Sequence, residues 1–188
     1  MIKINALLAL SAVLLFCCAT RSRDEKVTVP VEPTSIQLVP LDSVPNPYFS
    51  HTDTTVLHVS DAEWKKVLPP DIYEVARNKD TERAFTGKYW DFMGRGTYYC
   101  AACGNKLFRS DAKFASECGW PSFFEAERKN SVKYQDDGSF GMERIEVLCG
   151  RCGGHLGHLF DDGPPPTGKR FCMNSIVLDF VPELGAKK

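Results

Sequence analysis

Two Cys-x-x-Cys-Gly elements constrain this chain more than any other feature of its sequence. They run from Cys100 to Gly104 and from Cys149 to Gly153. Two residues between the cysteines allow a tight turn to direct both thiolates at one ion, and the following glycine permits the left-handed backbone that such a turn needs. Two such turns complete a tetrahedral set of sulfur ligands, which suits structural zinc. The sequence therefore predicts one Zn²⁺ per chain, bound by Cys100, Cys103, Cys149 and Cys152.

Two other uses of these cysteines stay open at this point. The four thiols can form two disulfides, or one Cys-x-x-Cys can act as a thioredoxin-like redox pair. A redox pair normally occurs once, at the start of a helix that follows a strand. Two elements with trailing glycines favour the metal site.

The composition indicates one globular domain with additional chain. The 188 residues are 43% hydrophobic and 11% aromatic, which is enough to build a core and excludes a wholly disordered protein. Twenty-three basic and twenty-four acidic residues give a formal net charge of -1. This balance argues against a nucleic-acid-binding protein, which normally carries a basic face.

The first residues have the features of an export signal. An apolar run of eleven residues, Ala6 to Phe16, follows Lys3 and contains one polar residue, Ser11. It is shorter than the roughly 20 residues that span a bilayer, but it fits the hydrophobic region of a signal peptide. Cys18 then resembles the cysteine of a bacterial lipoprotein signal, which is acylated after cleavage. Cleavage after Ala19 without acylation is the alternative.

Four segments are predicted along the chain. Both cleavage alternatives imply export, and we expect a bacterial periplasmic or cell-envelope protein with a signal peptide over residues 1–18 and a lipid anchor at Cys18. Residues 19–59 contain five prolines and no glycine, a composition typical of an extended linker stiffened by proline. A folded domain is predicted over residues 60–183, followed by a tail over residues 184–188.

Helical patterns mark the start of the predicted domain. Ser60 and Glu63 have capping-box spacing, and an apolar helical face then ends at Pro69. Asp71 to Asn78 forms a second helical pattern. Beyond Phe85, short apolar or alternating runs lie between turn clusters and predict antiparallel strands in a mainly β domain. These runs are Thr97–Tyr99, Lys106–Phe108, Ser131–Tyr134, Arg144–Leu148 and Ile176–Val181.

Two cysteines of the predicted domain lie outside the metal elements, and both have unusual surroundings. Cys118 precedes Gly-Trp-Pro-Ser-Phe, and Cys172 follows Arg170, whose charge favours a thiolate. Between them, His155 and His158 are spaced to offer a proton donor and a hydrogen-bonding neighbour to one site. The alternatives are ordinary ones: lone cysteines are often buried as small hydrophobic residues, and a histidine pair can bind metal or lie on the surface.

Several motifs of this one domain together resemble a known family. They are Phe85-Thr-Gly-Lys-Tyr89, the two Cys-x-x-Cys-Gly elements, Cys118-Gly-Trp-Pro-Ser-Phe123, His155-x-x-His158-x-Phe-x-Asp162-Gly-Pro and Arg170-Phe-Cys-x-Asn174-Ser175. This set resembles the B-type peptide methionine sulfoxide reductases, which act on the R epimer of the sulfoxide. The resemblance covers about residues 60–183. It implies two antiparallel sheets in a small β fold, zinc away from the active site, and thiol-dependent reduction of methionine sulfoxide in oxidised proteins.

The resemblance also implies residue roles. Cys172 corresponds to the nucleophile and Cys118 to the resolving cysteine, whose disulfide a thioredoxin-like donor reduces. His155, His158 and Asn174 resemble the residues that polarise the S–O bond, with Asp162 as their support. Trp120 resembles the aromatic residue that receives the substrate's methyl group. The implied substrate-binding residues are Trp120, Phe171, Asp162 and Arg170.

Two other function classes stay open from the sequence. A zinc-stabilised module with this fold can bind peptides without turnover, although the intact Cys172, His155, His158 and Asn174 argue against it. A thiol-disulfide oxidoreductase that acts on protein disulfides is the second alternative. It would show dithiol activity without dependence on a sulfoxide.

Overall fold

The computed structural model describes residues 46–185, which form two antiparallel sheets preceded by two short helices. This confirms the predicted fold class. The predicted signal peptide, Cys18 and most of the predicted linker lie outside the described residues. Within residues 46–185, neither helix is long and apolar enough to cross a membrane.

Both helices form where the sequence predicts them. Helix α1 (Asp61–Val67) begins at Ser60, whose side chain accepts a hydrogen bond from the Glu63 backbone N–H, and it buries Trp64. Helix α2 (Pro70–Asn78) has a proline in its first turn, where the missing N–H has no intrahelical partner to lose. Its buried residues face the domain: Ile72, Tyr73, Val75 and Ala76.

Nine strands follow within the described residues. In chain order they are β1 (Gly96–Cys100), β2 (Lys106–Arg109), β3 (Lys113–Phe114), β4 (Ser122–Phe123), β5 (Val132–Asp137), β6 (Arg144–Cys149), β7 (His155–Phe160), β8 (Arg170–Met173) and β9 (Leu178–Pro182). The smaller sheet has the order β2-β1-β9, and the larger sheet has the order β3-β4-β8-β7-β6-β5. Strands β7 and β8 therefore lie in the middle of the larger sheet.

Four strands were not predicted from the sequence. Strands β3 and β4 are two residues long, too short to show a period. Strands β7 and β8 carry the motif residues, and their mixture of glycine, histidine and cysteine masks the alternation that identifies a strand.

An aromatic cluster joins the two sheets. Phe108 of β2 stacks on Phe123 of β4 with ring centroids 4.4 Å apart, and Tyr98 of β1 meets Phe123 edge-on at 4.9 Å. All three side chains are fully buried. Rings of this size bury much apolar surface each, so this cluster fixes how the larger sheet lies on the smaller one.

Residues 46–59, which the sequence assigns to the linker, contact the folded domain. The Tyr48 ring lies edge-on to Trp64 at 5.1 Å, and the Ser50 backbone N–H donates to the Cys103 carbonyl over 3.0 Å. Arg151 donates to the Tyr48 carbonyl and to the Asp53 carboxylate. Residues 46–59 therefore pack against the domain predicted over residues 60–183. Composition could not show this, because the contacts are made by backbone groups and by a distant arginine.

Candidate functional site

Four buried cysteines form one cluster between the sheets. The Sγ atoms of Cys100 and Cys152 are 3.8 Å apart, those of Cys103 and Cys149 are 3.6 Å apart, and all four lie within 4.8 Å of one another. A tetrahedral zinc site with Zn–S bonds of about 2.3 Å has S–S edges of about 3.8 Å. The same distances are too long for disulfides, whose bond is about 2.05 Å. The donor set and its spacing therefore fit a tetrahedral metal ion.

Each Cys-x-x-Cys element is closed by its own backbone. The N–H of Gly104 donates to the Cys100 carbonyl over 2.7 Å, and the N–H of Gly153 donates to the Cys149 carbonyl over 2.9 Å. Both glycines have left-handed backbones, with φ of 75° and 69°. The turns predicted from the glycine spacing are confirmed. Because each turn closes locally, the sulfurs are directed at a common centre by the chain itself.

Cys172 lies at the centre of a second cluster. Strand β8 pairs Cys172 with His158 of β7 on one side and with Ser122 of β4 on the other. A side chain at Gly157 would place its Cβ 2.1 Å from the Cys172 carbonyl oxygen. The glycine next to His158 therefore allows β7 to approach β8 closely at the cysteine.

Cys118 reaches Cys172 from the loop before β4. Their sulfurs are 3.5 Å apart, although the two cysteines are 54 residues apart in the sequence. The Ser116 hydroxyl is 3.0 Å from the Cys118 Sγ, and the Ser122 hydroxyl is 3.4 Å from it. Both thiols are half-buried. A small movement brings the sulfurs to bonding distance, so the pair can form a disulfide.

The thiols of Cys118 and Cys172 titrate as a coupled pair. The hydrogen bond with Cys172, helped by Ser116 and Ser122, lowers the pKa of Cys118 to about 4. The same hydrogen bond and burial raise the pKa of Cys172, while the Arg170 guanidinium lowers it. These shifts belong to the pair, which loses its first proton easily and holds the second.

A cavity of 120 Å³ opens at Cys172, and Trp120, His158 and Asn174 also line it. The Trp120 Nε1–H donates to the Glu82 carbonyl over 3.1 Å, which fixes the orientation of the indole. Asn174 is buried, and its amide binds the Glu82 N–H and the Leu156 carbonyl. The cavity therefore has one aromatic wall of fixed orientation, a cysteine sulfur and a histidine.

The two histidines have different surroundings. His158 lines the cavity, and its Nε2 is 2.7 Å from the Asp137 carboxylate, which also accepts from Arg144. His155 lies deeper, only 3% exposed, and its Nδ1 is 2.7 Å from the Glu146 carboxylate. Burial lowers the pKa of His155, although Glu146 opposes this shift. Of the two, His158 has direct access to a bound substrate.

Two of the implied roles do not match these positions. Asp162 supports neither histidine: its carboxylate makes two hydrogen bonds of 2.8 Å with Arg170, and it is exposed. Phe171 points into the aromatic core, 5.7 Å from Phe108, because neighbouring residues of a strand face opposite sides and Cys172 faces the cavity. Arg170 itself stays close enough to Cys172 to lower its pKa.

Comparison with known proteins identifies this arrangement. The SelR domain matches residues 68–182, which is more than half of the chain. The chain belongs to the SelR family.

Curated relatives agree with this assignment. Proteins named peptide methionine sulfoxide reductase MsrB from Methanosarcina barkeri and Thiobacillus denitrificans are 53% and 54% identical to this chain, over 129 and 124 residues. The aligned residues cover 69% of this chain and 91% of the first protein, and 66% of this chain and 94% of the second. An MsrB from Leptospira interrogans is 54% identical over 66% of this chain and 95% of its own length.

Several residues of the SelR site were missed by the sequence analysis. Asp137 belongs to a cluster that was interpreted only as a turn, and Glu146 lies in a predicted strand. Phe160 also lines the cavity, from the strand and the sequence motif that contain His158. Thr81 and Arg144 line it as well, and their spacing in sequence carries no signal, because they lie on separate elements.

Proposed function

We propose that this chain reduces methionine-(R)-sulfoxide in oxidised proteins and peptides, with Cys172 as nucleophile and Cys118 as resolving cysteine. The observation that carries the proposal is the 3.5 Å distance between these sulfurs at a cavity with an aromatic wall. The activity named for the MsrB relatives supports it.

The first step transfers the sulfoxide oxygen to Cys172. The Cys172 sulfur attacks the substrate sulfur and forms a transient S–S bond with it. The oxygen then forms a bond to the Cys172 sulfur while the transient S–S bond and the sulfoxide S–O bond break, and methionine leaves. Cys172 is thereby oxidised to a sulfenic acid, and the oxygen takes up one proton. The electron pair that methionine gains comes from the Cys172 sulfur, so no other reductant enters this step.

Neighbouring side chains can supply the protons that the two reacting atoms need. Because a carboxylate only accepts, the bond to Asp137 places a proton on His158 Nε2. A second proton, on Nδ1 of the imidazolium, is then the one available to the sulfoxide oxygen. The thiol proton of Cys172 can pass to the neighbouring Cys118 thiolate as Cys172 attacks. The Arg170 charge favours the nucleophilic form of Cys172.

The second step restores the sulfur pair. The Cys118 sulfur attacks the sulfenic sulfur of Cys172, an S–S bond forms, and the hydroxyl leaves as water after taking one proton. An external dithiol, such as a thioredoxin-like protein, then reduces this disulfide by exchange and becomes a disulfide itself. Over the cycle, one sulfoxide and one dithiol give one thioether, one disulfide and one water.

The cavity wall explains which part of the substrate is recognised. Trp120 presents an indole whose orientation is fixed by Glu82, and a methyl group attached to the sulfoxide sulfur can pack on its face. With the methyl group on Trp120 and the oxygen toward His158, only one epimer directs its sulfur at Cys172. The cavity therefore supports discrimination between epimers, and the resemblance to the B-type reductases assigns the R epimer as the substrate.

The four clustered cysteines are proposed to hold a structural zinc ion. Cys100, Cys103, Cys149 and Cys152 would supply all four ligands, so no coordination position stays open for substrate. A zinc ion bound there would crosslink the two turns and would take no part in the redox chemistry. The reaction steps above use only residues of the second cluster.

We further propose that the protein is exported and anchored by acylation of Cys18. This rests on the apolar run that ends at Phe16 and on the charged stretch after Ala19. Fatty-acid labelling of the full chain in a bacterial host tests it. Cys18→Ser should abolish label and membrane association, whereas the matched change Cys17→Ser should preserve both. Label in Cys18→Ser, or its absence in the wild type, contradicts the anchor.

A burst assay without reductant tests the proposed chemistry. Peptides with separated R and S sulfoxide epimers are mixed with the reduced protein, and released methionine is counted per chain. The wild type should release about one methionine from the R epimer and essentially none from the S epimer. Cys172→Ser should release none. Cys118→Ser should keep the burst, accumulate a Cys172 sulfenic acid and lose turnover with thioredoxin.

The outcomes separate the alternatives. Equal reduction of both epimers overturns the stereochemical assignment, and a burst in Cys172→Ser overturns its role as nucleophile. Normal thioredoxin-dependent turnover in Cys118→Ser shows that another group resolves the intermediate. Reduction of protein disulfides without any action on sulfoxides establishes a thiol-disulfide oxidoreductase instead.

A further inference from the structure

Three charged or titratable residues form a chain from the protein surface to the deeper histidine. Lys79 Nζ is 2.7 Å from one carboxylate oxygen of Glu146, and the other oxygen is 2.7 Å from His155 Nδ1. They come from the end of α2, from β6 and from β7. The Lys79 side chain is 53% exposed, whereas those of Glu146 and His155 are each 3% exposed. The chain therefore connects solvent to a buried imidazole.

Lys79 compensates the charge of a buried carboxylate. A carboxylate as buried as Glu146 is strongly destabilised unless a cation and hydrogen bonds replace its water. Lys79 supplies the cation on one oxygen, and His155 supplies a hydrogen bond to the other. One carboxylate oxygen of Glu146 therefore accepts a hydrogen bond from the Lys79 ammonium group, and the other accepts one from the His155 ring.

The backbone of Lys79 indicates that its side chain is needed there. Lys79 caps α2 with a left-handed backbone, φ 59° and ψ 33°. This position favours glycine, which adopts that conformation without steric penalty. A glycine would close the helix equally well but would bring no ammonium group to Glu146.

The hydrogen bond to Glu146 selects the form of His155. Because a carboxylate only accepts, the shared proton lies on His155 Nδ1. His155 Nε2 is buried without a hydrogen-bond partner among residues 46–185. A buried nitrogen in that state favours the neutral ring, since an imidazolium there would leave a charged N–H unpaired. Burial lowers the pKa of His155 in the same direction.

We propose that Lys79 and Glu146 are positioning residues that keep His155 neutral, with its proton on Nδ1, so that the catalytic proton resides on His158. This inference rests on the proposed function. Lys79, at the end of α2, and Glu146, in β6, would then act on the proposed reductase site through His155.

The charges around His155 explain why its neutral form matters. The rings of His155 and His158 have centroids 5.5 Å apart, so two imidazolium ions would repel each other. Glu146 draws a proton toward His155, and Lys79 and His158 oppose it. On the other side, the Asp137 carboxylate lies 2.7 Å from His158 Nε2 and accepts a hydrogen bond from it. Lys79 therefore offsets the part of Glu146's charge that would otherwise protonate His155 as well.

The pH dependence of turnover tests this assignment. Lys79→Met removes the cation that offsets the charge of Glu146. The pKa of His155 should therefore rise, so that His155 becomes protonated at higher pH than in the wild type. The acidic limb of kcat/KM for the R-sulfoxide peptide should move upward by about one pH unit, a tenfold loss on that limb. Lys79→Arg should restore the wild-type profile. Lys66→Met is the matched control, because Lys66 makes an ion pair with Glu63 on an exposed helix face.

Glu146→Gln gives the opposite signature. Loss of the carboxylate removes the group that raises the pKa of His155, so the acidic limb should not move upward. It also removes the obligatory acceptor at Nδ1, so the tautomer is no longer selected and kcat should fall across the whole pH range. A merely structural pair would lower stability in both variants while both profiles kept their wild-type midpoint, and that result would overturn the proposal.

Nitrogen NMR of ¹⁵N-histidine-labelled, reduced, zinc-loaded protein reads the ring directly and needs no activity. The wild type should show His155 neutral with the proton on Nδ1 at pH 7, and Lys79→Met should show its protonation at higher pH than the wild type. His155 already charged in the wild type, or unchanged in Lys79→Met, contradicts the proposal. Absence of sulfoxide turnover in the wild type, with the NMR result as expected, would instead refute the proposed function alone.

Discussion

The two cysteine clusters of this protein have similar sulfur–sulfur distances but different surroundings. Cys103 and Cys149 lie 46 residues apart in sequence with sulfurs 3.6 Å apart, and Cys118 and Cys172 lie 54 residues apart with sulfurs 3.5 Å apart. The first cluster is fully buried and its turns are closed by backbone hydrogen bonds. The second cluster is half-buried beside a cavity. Serine hydroxyl groups lie within hydrogen-bond distance of the Cys118 sulfur, and the Arg170 guanidinium lies near the Cys172 sulfur.

This difference shows that sulfur spacing alone does not decide what a cysteine does. Four buried thiols around one centre are suited to bind a metal, and their burial keeps a substrate away from them. Two thiols at a cavity can be attacked, oxidised and reduced, because solvent and substrate reach them. The surroundings of the second pair, with hydroxyl groups near Cys118 and a cation near Cys172, support the reactivity proposed for it.

Exchange of one sulfur for oxygen in each cluster should have the largest effect. Cys103→Ser removes a ligand from a fully buried set, so we expect loss of zinc and a decrease of more than about 4 kcal/mol in the free energy of unfolding. Cys118→Ser should retain about one zinc per chain and change that free energy by less than about 1 kcal/mol. Denaturant unfolding and metal analysis measure both. Similar losses in the two variants would abolish the distinction between the clusters.

Removal of the arginine that covers the metal cluster should have the next largest effect. Arg151 is 3% exposed and donates to the Tyr48 and Cys103 carbonyls, so it joins residues 46–59 to one of the turns. Arg151→Met leaves both carbonyls without this donor and should lower the free energy of unfolding by about 3 kcal/mol. Zinc should also pass faster to a chelator.

The control for this prediction is Asp53→Asn. It removes only an exposed partner of Arg151 and leaves both carbonyl contacts, so its effect on stability and on zinc release should be smaller. Single-turnover rates should match the wild type in both variants, because the second cluster is unchanged. A slower burst in Arg151→Met would show that the two clusters are coupled.

Removal of the cation near Cys172 should shift the pH dependence of the second cluster. The hydrogen bond with Cys118 and burial raise the pKa of Cys172, and Arg170 lowers it. Arg170→Met therefore raises this pKa further, and the thiolate forms only at higher pH. The midpoint of the single-turnover rate should rise by about one pH unit.

Lys169→Met is the matched control, since this neighbouring lysine pairs with the exposed Asp161. Its profile should coincide with that of the wild type. Zinc content should be the same in both variants. An equal shift in both would mean that Cys172 responds to net charge rather than to Arg170 in particular.

The smallest expected effect concerns the hydroxyl donors of Cys118. Ser116→Ala removes the hydroxyl that lies 3.0 Å from the Cys118 sulfur, which raises the pKa of Cys118. One such hydrogen bond contributes about 1 kcal/mol, so recycling by a dithiol should slow about fivefold. The methionine burst should keep its amplitude, which serves as the internal control. A smaller burst would place Ser116 in the oxygen-transfer step.

Local patterns in the sequence predicted much of this molecule. The glycine after each Cys-x-x-Cys, the Ser60 cap and the proline at Pro69 act within a few residues of themselves, so the turns and helices could be derived from spacing alone. Strands β7 and β8 escaped prediction because their functional residues interrupt the alternation that identifies a strand.

The pairing of side chains across the fold was decided by tertiary structure. Asp162 stands close to the histidines in sequence, but the β5–β6–β7 register brings Asp137 to His158 and Glu146 to His155 instead. Phe171 adjoins Cys172 in sequence and faces the opposite side of the sheet. The sequence by itself determined which residues have the chemistry for a metal site and a thiol site. Which carboxylate, arginine or lysine stands beside each of them was decided by register and sheet packing, because those contacts join residues that no local spacing relates.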